Sequence, residues 1–108
     1  MAGSTANPRH RLIVLPWLRI PAQRLILPNW LAITLGPLII SWRPLDRVEL
    51  AHELAHVAQW RRHGLRYPLL YWQASEQAKA AGLDRYRDNA FEVEARAAEE
   101  SVRESPIA

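Results

Sequence analysis

The sequence predicts a small α+β fold in which a short antiparallel hairpin sheet is followed by three helices. Residues 12–42 are rich in aliphatic and β-branched side chains and are broken repeatedly by proline, a pattern typical of short strands. Residues 46–103 instead carry helix caps and apolar side chains at helical spacing. The 108 residues are enough for one compact domain and too few for two. We therefore expect a single domain over residues 1–108, with 1–10 as a flexible tail.

The candidate strands lie in the first part of the chain. Residues 12–20 are interrupted and then followed by proline, which favours a strand at the edge of a sheet. Residues 24–27 form a second candidate strand. Residues 31–42 predict a tight hairpin that turns at Leu35-Gly36-Pro37, with a strand at 38–41 on its far side.

The first helix has clear signals at both ends. Asp46 can cap its first turn, and Glu49, three residues on, completes a capping box. The helix ends at the basic residues 61–63, which are followed by Gly64. Between these ends the helix is apolar around most of its circumference, so we expect it to be buried. Polar side chains on a buried helix need a chemical reason to be there.

Two further helices follow. The second covers residues 68–81 and ends before a glycine. The third begins at Asp88 or Asn89 and continues to about Arg103. Asn89 and Glu92 also match a capping box, which would use the Glu92 carboxylate locally.

The composition limits the kinds of binding partner and metal ligand that we expect. The net charge is +3, and the arginines are scattered among apolar residues, which is typical of a solvated surface and not of a nucleic-acid interface. The chain has no cysteine, which excludes thiolate metal ligands. The longest apolar run, 31–42, is too short to cross a bilayer, and the N-terminus does not resemble a signal peptide. We expect a cytoplasmic protein with no nucleic-acid partner and no membrane span.

The strongest chemical signal is the sequence His52-Glu53-Leu54-Ala55-His56 in the first helix. Positions i and i+4 lie one turn apart on one face of a helix, so both imidazoles can reach one zinc ion. Glu53 lies about 100° around the helix from His52, close enough to act on water beside the metal without ligating the metal. The pattern predicts that His52 and His56 bind a metal and that Glu53 is the general base.

The third metal ligand is not specified by this motif. His63 lies two helical turns past His56, about 10 Å away and too far to share an ion. His10 lies in the predicted tail. The remaining candidates are Glu92 and Glu94 on the third helix. Helical geometry favours Glu94 slightly, because it lies closer to the centre of the apolar stripe of that helix.

The motifs resemble those of the gluzincins, HExxH metallopeptidases whose third ligand is a glutamate on a downstream helix, and most closely their minimal bacterial members with a HELAHV sequence. The resemblance covers HELAH at 52–56 and a short Glu-x-x-Ala stretch at 92–95. It implies a small zincin-like domain and a zinc ion held by the two histidines and Glu92. Glu94 stays the alternative on helical geometry. The family often has an aspartate four residues after the ligand glutamate, to support a histidine, where this chain has Arg96.

Motif and resemblance together predict a zinc-dependent peptidase acting on a peptide or protein. The family resemblance implies that the substrate binds as an added strand at a sheet edge, for which residues 38–41 are the expected strand. Tyr86 is the candidate oxyanion stabiliser among four residues that could serve: Tyr67, Tyr71, Tyr86 and Arg96. Two alternatives stay open, a zinc-binding scaffold or interaction module that cleaves nothing, and a zinc hydrolase acting on another acyl bond, such as an amidase.

Overall fold

The computed structural model describes residues 8–105 and has the predicted α+β fold. Its elements are β1 (Arg11–Val14), α1 (Arg19–Leu25), β2 (Ala32–Leu35), β3 (Leu38–Ser41), α2 (Arg47–His63), α3 (Tyr67–Ala80) and α4 (Ala90–Glu104). Single 3₁₀ turns lead into α1 and α3. Most of the predicted tail, residues 1–7, lies outside the described residues. Among those described, no helix is both long and apolar enough to cross a membrane.

The three strands form one mixed sheet in the order β1-β3-β2. β3 pairs in parallel with β1 and antiparallel with β2. The predicted antiparallel hairpin is present as β2 and β3, and β1 adds to it in parallel. The choice of residues 38–41 as a free sheet edge was wrong, because β3 is the central strand. A parallel pair needs a crossover connection, which α1 and β2 provide between β1 and β3.

The end of α1 and the turn after it replace the predicted strand at 24–27. The Ile26 N–H donates to the Ala22 carbonyl over 2.8 Å, a helical hydrogen bond, and Ala22 is buried. The strand predicted over 12–20 ends at Val14, because the next turn, from Pro16, is 3₁₀. Both predictions failed because a short apolar segment without strict alternation fits a strand and a helix equally well.

The hairpin and the first long helix form as predicted. Gly36 lies in the turn with a φ of 60°, which glycine adopts without steric cost. At the start of α2, the Glu49 N–H donates to the Asp46 carboxylate over 2.7 Å, and the Asp46 N–H donates to the Glu49 carboxylate over 3.0 Å. Gly64 follows the last turn with a φ of 63°. The capping box and the glycine end are therefore confirmed.

Helix α2 lies between the sheet and α4. Its apolar side packs on one face of the sheet, where Ile39, Leu54 and Val57 form the buried core. Its other side contacts α4 through His52 and His56. The histidines of the HExxH motif are therefore enclosed between two helices.

Helix α4 begins at a buried cap. The Phe91 N–H donates to the Asn89 side-chain oxygen over 2.8 Å. The Asn89 amide in turn donates to the Tyr71 carbonyl and to the Ser75 hydroxyl, both on α3. The predicted helix start is confirmed, and the cap also ties α4 to α3.

Candidate metal centre

Three side chains from two helices converge on one point: His52 and His56 of α2 and Glu92 of α4. The Nε2 atom of His52 lies 3.1 Å from Oε1 of Glu92, and Nε2 of His56 lies 3.3 Å from the same oxygen. One ligand atom from each residue lies within 4.8 Å of the other two. This cluster could hold a metal ion.

The spacing of these atoms fits a four-coordinate ion. Ligands about 2.0–2.2 Å from a zinc ion, placed at the corners of a tetrahedron, are about 3.3–3.6 Å apart. The two N···O separations, 3.1 and 3.3 Å, are close to that range. Two imidazoles and one carboxylate are also ligand types that zinc accepts together.

Electrostatic attraction keeps the cluster in its charged form. Burial acts to raise the pKa of Glu92, but hydrogen bonds with His52, His56 and Tyr71 outweigh it and hold that pKa well below its usual range. Burial acts to lower the pKa of each histidine, but Glu92 and Glu53 outweigh it and raise that pKa above its usual value. Glu92 is therefore a carboxylate at neutral pH, the form that binds a cation.

The second ring nitrogen of His52 is held by Glu99 of α4. The Nδ1–H group donates to Oε2 of Glu99 over 2.5 Å, which leaves Nε2 facing Glu92. Glu99 lies seven residues after Glu92, two turns along the same face of α4. Glu99 therefore supplies the carboxylate beside His52, whereas Arg96 donates to the backbone carbonyl of Arg87.

The second ring nitrogen of His56 is held by the buried Gln59. The His56 Nδ1–H donates to Oε1 of Gln59 over 2.8 Å, and the Tyr67 hydroxyl donates to the same oxygen over 2.6 Å. The Gln59 amide donates to the Phe91 carbonyl and to the Glu94 carboxylate. Because both histidines donate from Nδ1, each keeps Nε2 for the shared point.

Glu94, the alternative third ligand, lies away from this centre. Its carboxylate accepts a hydrogen bond from Arg62 over 3.0 Å and is half-exposed, whereas Glu92 is buried. Residues two apart on a helix lie about 200° apart around its axis, so the two glutamates cannot face one point. The predicted capping box of Asn89 and Glu92 does not form: the Asn89 N–H donates to the Tyr86 carbonyl, and the second Glu92 oxygen accepts from the Tyr71 hydroxyl over 2.5 Å.

Glu53 lies beside the cluster and lines the same cleft. The Thr34 hydroxyl donates to Oε1 of Glu53 over 2.8 Å, and the Trp60 indole N–H donates to the Thr34 carbonyl over 3.0 Å. These bonds tie β2 to α2 at the site. They orient one carboxylate oxygen of Glu53.

A cleft of about 500 Å³ opens over the ligands. One wall consists of β2 and the segment before it. Another part of the lining comes from the start of α3 and from Tyr86. The side chains that line it are Ile26, Leu27, Trp30, Ala32, Ile33, Thr34, Leu35, His52, Glu53, His56, Trp60, Tyr67, Pro68, Tyr71, Tyr86 and Glu92.

Tyr67, Tyr71 and Tyr86 all line the cleft, and among them Tyr86 is the one that is half-exposed. Burial, together with the charge of Glu92, raises the pKa of Tyr86 to about 12, so its phenol stays protonated at neutral pH. The Tyr67 and Tyr71 hydroxyls already donate to Gln59 and Glu92. Tyr86 thus combines a protonated donor with a position in the cleft.

The two other histidines lie outside the cluster, as predicted. His63 stacks on Tyr67 and meets the edge of Phe91. His10 contacts the backbone carbonyl of Pro8. Neither belongs to the group of residues that could hold a metal.

Sequence reasoning missed three residues of this centre. The seven-residue spacing from Glu92 could have identified Glu99, because it keeps both on one helix face. Gln59 lies three residues after His56 and could have been found in the same way. No sequence pattern could have identified Thr34, because its contact with Glu53 depends on how the hairpin packs across α2.

No protein-family model, curated protein or solved structure matches this chain. Its function is therefore inferred from the motif and from the geometry of the centre.

Proposed function

We propose that this protein is a zinc-dependent peptidase of the gluzincin type. The observation that carries the proposal is the convergence of His52, His56 and Glu92 on one point, with Glu53 beside them in one cleft. Structural zinc sites are usually closed by four protein ligands, whereas catalytic sites have three. Among the described residues this cluster has three, which supports a catalytic site.

Each residue of the centre has a defined task in peptide hydrolysis. Zinc, when bound, would supply a Lewis acid that lowers the pKa of water and polarises a carbonyl group. Glu53 accepts the proton of the attacking water on the oxygen that Thr34 does not hold, and delivers it to the leaving amine. Tyr86 donates a hydrogen bond to the carbonyl oxygen as negative charge develops there. Glu99 and Gln59 keep the histidine rings oriented.

The substrate lies along β2, not along β3 as the sequence suggested. The Trp42 N–H donates to the Leu31 carbonyl, and hydrogen-bonded pairs alternate along an antiparallel ladder. The backbone groups of Ala32 and Thr34 therefore point away from β3, and both residues line the cleft. The Thr34 carbonyl already accepts the Trp60 indole N–H, so a peptide would pair mainly through Ala32. An extended peptide paired with this edge passes beside Glu53, which already contacts Thr34.

The experiment measures metal content and hydrolysis separately. We expect the purified protein to bind a single zinc ion and to hydrolyse internally quenched peptides, with activity removed by a chelator and restored by zinc. Glu53→Gln should keep the zinc and lower the rate about 10²–10⁴-fold, because proton transfer is lost. Glu100→Gln changes an exposed carboxylate on α4 and serves as the matched control, with unchanged activity.

The other outcomes separate the alternatives. Protein that takes up no zinc would reject the metal centre. Zinc uptake without hydrolysis by the wild-type protein would favour the non-catalytic scaffold. Hydrolysis of non-peptide amides alone would favour a different zinc hydrolase.

A further inference from the structure

The wall of the cleft formed by β2 and the segment before it is apolar and partly exposed. Four large aliphatic side chains, between 41% and 61% exposed, line the cleft: Ile26, Leu27, Ile33 and Leu35. Aliphatic groups gathered at a concave site lose contact with water when a matching apolar group binds. This wall therefore favours an apolar ligand group.

Outside the candidate metal ligands, the charged side chain of the cleft is Glu53, and no arginine or lysine lies among the described residues that line the cleft. Away from the metal ligands, a substrate carboxylate would find no cation to pair with and would be repelled by Glu53. The cleft therefore disfavours acidic side chains and a free C-terminus.

We propose that the cleft selects an internal, extended peptide segment that carries a bulky, uncharged apolar side chain next to the bond presented to Glu53. This inference rests on the proposed peptidase function and names its substrate class. The backbone of the segment pairs with β2, and the apolar side chain packs against Ile26, Leu27 and the neighbouring aliphatic residues of the wall. An acidic residue in that position leaves a carboxylate unpaired.

The test measures binding without cleavage, in zinc-loaded Glu53→Gln protein. Two fluorescein-labelled octapeptides, blocked at both ends, carry a central Leu-Leu or Glu-Glu pair in an otherwise identical Ser/Gly sequence, and binding is followed by fluorescence anisotropy. We expect the Leu-Leu peptide to bind at least about tenfold more tightly, as burial of one large apolar side chain implies. Equal or reversed affinities would overturn the proposal.

Two neighbouring residues provide matched variants in the same background. Ile26 lines the cleft, whereas Leu25, directly before it, is 84% exposed and is not part of the lining. Ile26→Asp should weaken binding of the Leu-Leu peptide by about tenfold or more, with zinc content unchanged. Leu25→Asp should leave the affinity unchanged. Equal losses in the two variants would show that the cleft wall does not select the substrate.

The selectivity proposal can fail while the peptidase proposal stands, and the reverse. Equal rates of hydrolysis of the two peptides by the wild-type protein would preserve the peptidase proposal and overturn the selectivity. Preferential binding of the Leu-Leu peptide by a protein that hydrolyses nothing would support the apolar site and reject the peptidase.

Discussion

At the scale of single residues, each histidine of the centre depends on a partner outside the HExxH motif. His52 donates to Glu99, and His56 donates to Gln59. A ring held at Nδ1 has a defined orientation and a more basic Nε2. The motif therefore specifies which atoms can bind a metal, while these partners specify where the atoms point.

Replacing Glu99 tests this dependence. We expect Glu99→Ala to weaken zinc binding about 10–100-fold, because His52 loses its acceptor, as measured by competition with a chromophoric chelator. Glu100→Ala removes the next carboxylate, which is exposed and paired with Arg103, and should leave the affinity unchanged. Wild-type affinity in Glu99→Ala would show that Glu99 does not position the ring.

At the scale of elements, the start of α4 positions the candidate third ligand, Glu92. Asn89 caps the helix through the Phe91 N–H and also donates to the Tyr71 carbonyl and the Ser75 hydroxyl. Glu92 follows in the first turn of the same helix. One structural unit therefore contains the helix cap, the contact between α3 and α4, and Glu92.

Replacing Asn89 should affect stability and metal binding together. We expect Asn89→Ala to lower the free energy of unfolding of the metal-free protein by about 1–3 kcal/mol, because a helix cap and buried hydrogen bonds are lost. Urea denaturation followed by tryptophan fluorescence measures this change. Asn89→Asp keeps the capping acceptor but sets a buried carboxylate against the Tyr71 carbonyl oxygen, so a loss at least as large is expected. A stability equal to wild type in Asn89→Ala would contradict the role of this cap.

At the scale of the whole molecule, both the small apolar core and the charged centre contribute to the stability of the fold. The buried core around Ile39, Leu54 and Val57 is small, and a domain of this size buries a modest share of its surface. A ligand that binds only the folded state at 100 times its Kd adds about 2.7 kcal/mol. We therefore expect zinc to contribute a substantial part of the stability.

The metal-free protein should be most stable between about pH 4.5 and 6.5. The pKa of Glu92 is lowered from 4.5, so its contribution is present above that value and is lost as the pH falls through the folded pKa. The pKa values of His52 and His56 are raised from 6.5, so their contribution is complete below that value and is lost as the pH rises through the folded pKa.

Thermal unfolding in chelator and in zinc, across a pH series, measures this window. Because zinc binds neutral imidazole, the difference in Tm between the two series should widen above about pH 6.5. Glu92→Gln should flatten the pH dependence of the metal-free protein. A stability in chelator that rises steadily from pH 5 to 8 would contradict the charged cluster.

The sequence by itself determined the features whose information is local. Asp46, Glu49 and Gly64 set the ends of α2, because caps act within one helical turn. The HExxH spacing placed two imidazoles on one face, because the helical period is constant. Gly36 marked the hairpin turn, because a positive φ there favours glycine. Length and element pattern were enough to predict the α+β class.

The tertiary structure alone decided which elements meet. The approach of Glu92, and not Glu94, to the histidines depends on how α4 packs on α2. The contact of Thr34 with Glu53 and the central place of β3 depend on how the chain returns across the sheet. Such contacts join residues far apart in the chain, and they are selected by packing summed over the whole core, which no local pattern contains.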